Sequence, residues 1–305
     1  KLFLAVLTLF LAGSTIHERV YRFLEPIDAL SVGVERGAIA LEVRARTKGG
    51  WIPWESLAIE EEFDPLLWES NLVIFPESVT VVHLRGGTQR YTLHPIRVAR
   101  EPVRYEVAAR SAVPRPKILS RRAWGADESL LVTGAGTRRS DVERTTDNGQ
   151  GNGEVPERIR ECEEWQRNFP QEFQRARRVT QTPDGKMLRW PQEYSPRISL
   201  LVVHHTAIQV TRDERPSVER VRALYAYHAQ NRGWGDIGYH YLLDEEGQIY
   251  EGRAGGDYVV GGHVYCSNVS TIGIALLGNF EIEQPTPVQM QSLQWLLDTL
   301  ARQYN

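Results

Sequence analysis

His204 and His205 close an unbroken apolar run, Leu200-Leu201-Val202-Val203, and a second block punctuated by glycine, Trp234-Gly235-Asp236-Ile237-Gly238-Tyr239-His240, follows it along the chain. Imidazoles are the commonest metal ligands and the side chains best suited to move protons near neutral pH. Successive strand side chains point to opposite faces, so His204 and His205 cannot both face one metal ion, and at most one is a ligand. The alternative is a hydrogen-bonded pair that merely closes the strand.

The elements that must position these residues follow from periodicity. Leu200–Val203 reads as a strand buried on both faces, which mounts its terminal imidazoles on a rigid sheet rim. A helix is expected from about Ser217 to Gln230, with Val218, Val221, Leu224 and Tyr225 as its apolar stripe and Gly233 as its stop. Tyr239–Leu243 and Gln248–Tyr250 flank the Glu245-Glu246-Gly247 turn as a hairpin, and Thr271–Leu277 reads as another buried strand. Thr286-Pro287-Val288-Gln289 has capping-box spacing with proline at the first helical position, and opens a helix to Gln303 striped with Leu293, Leu296, Leu297 and Leu300. This half is α/β.

The N-terminal half reads differently. From about Glu25 to Val107, β-branched or alternating runs at Ala38–Ala45, Leu72–Phe75, Val79–Leu84 and Tyr91–Val98 are separated by Gly-rich turns, which suggests a small β-sandwich-like module. Its Trp51-Ile52-Pro53-Trp54 pair is either core aromatic packing or a carbohydrate-stacking surface. Residues 108–119, with Pro114 and Pro116, read as a linker. Residues 131–197 read as an insertion whose polar part, Thr133 to about Glu157, cannot bury a core and is expected to be flexible. Helical periodicity returns from Pro156 to Arg177, with Pro170 kinking it or starting a new helix.

Composition limits the function classes. With 305 residues, 41% of them hydrophobic and 25% charged, the chain suits a globular protein of two domains. Its net charge of −3 argues against a general nucleic-acid binder held by phosphate contacts, so selectivity must come from a local site. Residues 1–14, a lysine, a short apolar stretch and the small residues Ala12-Gly13-Ser14, have the order of a secretory signal peptide. The chain starts at Lys1, so a longer upstream segment acting as a membrane anchor is the alternative. Two cysteines, Cys162 and Cys266, exclude a disulfide-rich scaffold and could form a single bridge in an oxidising compartment.

Six blocks then carry a family resemblance: Ser120-Arg121-x-x-Trp124-Gly125-Ala126; Val203-His204-His205-Thr206-Ala207; Arg232-Gly233-Trp234-x-Asp236-Ile237-Gly238-Tyr239-His240; Gly247-x-Ile249-Tyr250-Glu251-Gly252-Arg253; Gly262-His263 with Asn268; and Ile272-Gly273-Ile274-Ala275-Leu276-x-Gly278-Asn279-Phe280. In this order they resemble the zinc N-acetylmuramoyl-L-alanine amidases and peptidoglycan recognition proteins. The resemblance covers 120–130 and 198–305, within a domain spanning 120–305. It implies a mixed sheet flanked by helices, the type 2 amidase fold, with a zinc ion (Zn2+) in a groove that binds muropeptide. Zinc of this kind keeps one position open for water, whose pKa falls to about 7, to attack the lactyl–L-alanine amide.

Carried over by position, the resemblance makes His204 the first zinc ligand and Tyr239 the catalytic tyrosine, whose phenol can donate to the developing oxyanion. His228, Arg232, His263 and Asn268 match substrate-groove residues. The bland alternative for His228 is a helix cap, and for Arg253 a structural salt bridge. The family's second histidine and its cysteine or aspartate ligand fall after the final helix, and are expected beyond Asn305. A substitute pair, His263-x-x-Cys266, could in principle bind zinc. The expectation is therefore a C-terminally truncated amidase domain, inactive as residues 1–305 alone, from a secreted or wall-associated bacterial protein. A non-catalytic peptidoglycan-binding protein is the alternative.

Overall fold

The structure, a computed structural model, describes residues 5–7, 18–35, 40–60, 67–86, 91–98, 116–133, 157–210 and 215–304. The expected signal-peptide cleavage site, most of the linker at 108–119 and the polar stretch at 134–156 lie outside the described residues. The elements are β1 (Ala5–Leu7), β2 (Glu18–Glu35), β3 (Leu41–Thr47), β4 (Gly50–Trp51), β5 (Glu55–Leu57), β6 (Ile59–Glu60), β7 (Leu67–Ser70), β8 (Val73–Arg85) and β9 (Tyr91–Ile96) in the N-terminal part. They continue with β10 (Ile118–Leu119), α1 (Arg121–Trp124), α2 (Glu157–Asn168), β11 (Arg177–Gln181), β12 (Met187–Tyr194), β13 (Leu200–His205), α3 (Ser217–Ala226), β14 (Tyr241–Leu243), β15 (Ile249–Glu251), β16 (Thr271–Leu276) and α4 (Pro287–Tyr304). No helix among the described residues is long and apolar enough to cross a membrane.

Two compact units result. The first comprises 1–102, 205–227 and 277–285; the second 103–204, 228–276 and 286–305. Within the first, nine strands form one hydrogen-bonded sheet with β8 and β2 at its centre. The expected strands at 72–75 and 79–84 are one strand, β8, and β2 is an 18-residue strand where no strand is expected from the sequence, although the β-rich module is expected from about Glu25. Pairing of β2 with β8 breaks register between Arg22 and Ile27, around Pro26, which cannot donate to the ladder. Ile27, Leu30, Val32, Val43, Phe75, Val82 and Leu84 fill its core.

Trp51 and Trp54 lie outside that core. Arg44 stacks on both, 4.7 Å and 4.3 Å from the ring centroids, and Arg85 lies 4.1 Å from Trp54. Segment 205–227 joins this unit through a buried ion pair, Arg215 to Asp28 at 3.6 Å, with Asp28 also accepting from Ser78 Oγ at 2.6 Å and Val98 N at 2.8 Å. A carboxylate so placed is tolerable in a core because its oxygens are satisfied and its charge is paired.

The second unit is built on a five-stranded mixed sheet in the order β10-β15-β14-β16-β13. β14 pairs antiparallel with β15 and parallel with β16, and β10 pairs parallel with β15. Leu242, Leu243, Ile249, Ile272, Ile274 and Ala275 are wholly buried, the continuous apolar pattern of a sheet covered on both faces. Helix α4 docks by Leu293, Leu296 and Leu300, and by hydrogen bonds from Gln289 to the Leu243 carbonyl (3.0 Å) and from Ser292 to the Gly247 carbonyl (2.7 Å). Within the described residues of the inserted segment, β11 and β12 form an antiparallel hairpin.

Candidate active site

Two of the short motif blocks are there to hold the site, not to do chemistry. Arg121, buried at the start of α1, donates from Nη1 to Asp236 Oδ1 at 3.0 Å, with side-chain exposures of 7% and 5%. Its Nε pairs with Glu128 at 2.9 Å, and its backbone N–H reaches Glu251. Asp236 also accepts from the amides of Ile237 (2.7 Å) and Ala254 (2.8 Å). Trp124 is fully buried and donates its indole N–H to the Glu251 carbonyl at 2.8 Å. These bonds tie the Ser-Arg-x-x-Trp block to the turn that delivers Tyr239.

His204 and His205 diverge, as strand alternation requires. His205 accepts from the Phe280 amide at 3.1 Å and stacks on that ring, whereas His204 turns toward Tyr239, with ring centroids 5.5 Å apart. His204 Nε2 lies 3.0 Å from His263 Nδ1. The other nitrogen of His263 lies 3.1 Å from Thr271 Oγ1, whose hydroxyl donates to the Asn268 carbonyl at 2.9 Å. That proton direction assigns the tautomers: His263 donates from Nε2 and accepts at Nδ1, so His204 donates from Nε2. Burial, then the neighbouring His240, His204 and Arg253, push the His263 pKa down to about 2, so the ring is neutral.

Close backbone approach makes this possible. A Cβ on Gly273 would stand 2.4 Å from His263 Cγ, and one on Gly238 would stand 2.4 Å from the Gly262 carbonyl oxygen. Only glycine lets the His263 ring lie on β16, and lets the Gly262 loop meet the Tyr239 turn.

The structure brings His228 beside Tyr239, Asn268 beside His263 and Arg232 next to Trp234. His228 sits in a π-helical turn (Tyr227–Asn231), buried, accepting from the Gly238 amide at 3.2 Å, with its ring 4.7 Å from Trp234 and 5.6 Å from Tyr239. Burial and Arg253 lower its pKa to about 3. It is a neutral prop behind Tyr239. Asn268 accepts through Oδ1 from the His263 and Val264 amides at 2.8 Å and 2.9 Å, which clasps the His263 loop. Arg232 lies 5.3 Å from the Trp234 ring centroid. Arg253 donates to the Ile237 carbonyl at 3.2 Å, the structural use of that residue. His240 is a satisfied core histidine: it bonds Val259 O and accepts from Gly273 N, and burial lowers its pKa to about 4.

Metal donors are incomplete. Among the described residues, no group of three or more His, Cys, Asp or Glu side chains could hold a metal ion. Cys266 is bonded to Cys162, so the substitute His263-x-x-Cys266 zinc pair is not formed. A hydrolytic zinc centre takes three protein donors, of which the described residues offer His204; coordination through its Nε2 would replace the contact with His263.

The second unit thus presents a mixed sheet whose rim carries His204 beside Tyr239, with glycine-spaced loops around them. Residues 194–305 match the N-acetylmuramoyl-L-alanine amidase family, and this part of the chain is similar to curated peptidoglycan-recognition proteins and to an N-acetylmuramoyl-L-alanine amidase. Peptidoglycan-recognition protein SC2 of Drosophila simulans is 36% identical over 106 residues, 34% of this chain and 56% of the relative. The N-acetylmuramoyl-L-alanine amidase of Homo sapiens is 32% identical over 106 residues, 34% of this chain and 18% of its own length. Among solved structures, an N-acetylmuramoyl-L-alanine amidase from Clostridium intestinale is 36% identical, covering 38% of this chain and 70% of that one, with a TM-score of 0.32. The chain spans a little over half the length of the recognition proteins it matches.

Proposed function

We propose that the protein acts on peptidoglycan as a zinc-dependent N-acetylmuramoyl-L-alanine amidase, cleaving the amide between the lactyl group and L-alanine. The observation that supports this reading is the pairing of His204 with Tyr239 on one rim of the sheet, the two residues that the sequence resemblance makes the first ligand and the catalytic tyrosine. His204 supplies one zinc donor; the other two are not among the described residues. Tyr239 is placed to donate its phenolic proton to the oxyanion that forms as the carbonyl is attacked. Buried neutral His228 and the Arg121–Asp236 pair keep the Tyr239 turn in place, and the Asn268-clasped loop holds His263 against His204.

The curated relatives include recognition proteins as well as an amidase, which supports a second reading, in which the site recognises muropeptide without cutting it. The muropeptide is the ligand in both. Export to an extracytoplasmic, wall-associated location fits the leader-like start and the Cys162–Cys266 bridge, since such bridges persist in oxidising compartments. The test combines calorimetric binding of a purified muropeptide to the full-length protein with detection of newly freed L-alanine amino groups from sacculi. Binding with zinc-dependent release supports the amidase, binding without release supports recognition, and no binding removes both.

A further inference from the structure

The inserted segment 157–197 grips the loop that carries His263 from two sides. On one side the end of β12 runs along it: Gln192 donates to the Ala254 carbonyl at 2.9 Å, Ser195 N to the Tyr258 carbonyl at 2.7 Å, and Val260 N to the Glu193 carbonyl at 2.8 Å. On the other, Cys162 of α2 is bonded to Cys266, three residues beyond His263. Between 160 and 168, α2 is exposed at every position except partly buried Cys162. Apart from an edge-on contact of Trp165 with Phe173, ring centroids 6.0 Å apart, these residues bury little apolar surface, so the bridge is what ties this stretch of α2 to the loop. Cys266 itself has φ of 70°, a left-handed conformation that residues with a Cβ rarely adopt, in a loop otherwise clasped by Asn268.

We infer that Cys266, through its bridge to Cys162, is a positioning residue that sets the 262–271 loop, and so makes muropeptide binding at the His204–Tyr239–His263 rim depend on the oxidised bridge. The inference rests on the muropeptide reading. A dithiol would release the loop: its two sulfurs are oxidised to a cyclic disulfide, the Cys162–Cys266 bond is cleaved, and each cysteine sulfur leaves as a thiol with one of the two protons.

The test uses the full-length protein oxidised, reduced with dithiothreitol, and reoxidised with glutathione disulfide, beside the C162S/C266S variant. Amide hydrogen exchange is followed in 262–271 and, as an internal control, in β14, while calorimetry follows a purified muropeptide. Reduction is expected to accelerate exchange in 262–271 by about tenfold or more, leave β14 protected and weaken muropeptide binding by a similar factor. Reoxidation restores both, and the variant resembles the reduced protein with or without dithiol. Unchanged loop exchange overturns the inference, as does faster exchange with undiminished binding, or loss of protection throughout β14, which would make the bridge a general staple. If the oxidised protein binds no muropeptide, the proposed function fails and so does the binding half of the inference, while loop exchange still decides whether the bridge sets the loop.

Discussion

Replacing Asp236 with alanine tests the claim that a buried ion pair holds the catalytic turn. The substitution leaves Arg121 Nη1 and the amides of Ile237 and Ala254 without the carboxylate that accepts from all three. Removing one partner of a buried pair costs about 3–5 kcal/mol, because the other charge stays buried. Arg121 keeps Glu128 at 2.9 Å, but that carboxylate is half exposed, and an ion pair with one member in water is worth about 1 kcal/mol or less. The expected loss for Asp236→Ala is therefore about 3 kcal/mol, and Asp236→Asn, which keeps an acceptor but not the charge, should lose about 1–2 kcal/mol. Urea denaturation followed by circular dichroism measures the loss, and hydrogen exchange at Leu242 and Leu243 localises it. In a double-mutant cycle with Arg121→Met, the coupling should be about 2 kcal/mol. A loss below about 1 kcal/mol for Asp236→Ala, with no coupling to Arg121, would refute the assignment.

Three further outcomes are expected. His228 and His240 titrate near 3 and 4 in the folded state but near 6.5 when unfolded, so the unfolded chain binds more protons between those values; stability should be full above pH 6.5 and fall as pH drops toward 4, by up to about 1.4 kcal/mol per pH unit for each ring, in pH-dependent urea denaturation. Tyr239→Phe should lower amide release by about a hundredfold while changing muropeptide affinity less than about threefold, a split read from turnover against calorimetric binding. Gly273→Ala puts a methyl 2.4 Å from His263 Cγ, and should cost about 1–3 kcal/mol and shift the His263 and His204 ring resonances in NMR spectra.

The α/β half was largely legible because its signals are local. A buried β-branched run marks β16, the capping box marks α4, and strand alternation separates His204 from His205; the run expected to be buried on both faces, Leu200–Val203, is instead the edge strand β13, with Leu200 62% and Val203 45% exposed. Helix α3 runs on beyond Ala226 into the π-helical turn that carries His228, a change that helical periodicity does not register. What spacing could not show were links between distant residues: Arg121 with Asp236, Cys162 with Cys266, His204 with His263. Each is set by the tertiary path, and none leaves a local pattern. β2 carries no strand expectation, and Pro26 within it argues against a continuous strand, yet the register shift there accommodates the proline. The β11–β12 hairpin carries mostly exposed residues, so it lacked the apolar alternation by which strands are recognised.

The central claim, that the His204–Tyr239 rim is a zinc amidase site, is tested most directly by measuring release of L-alanine amino groups from purified sacculi by the full-length protein, with stoichiometric zinc and after chelation, alongside His204→Ala. The account predicts zinc-dependent release that chelation abolishes and that His204→Ala reduces at least about a hundredfold without unfolding the protein. Release that persists at full rate in the chelated protein or in His204→Ala would contradict it.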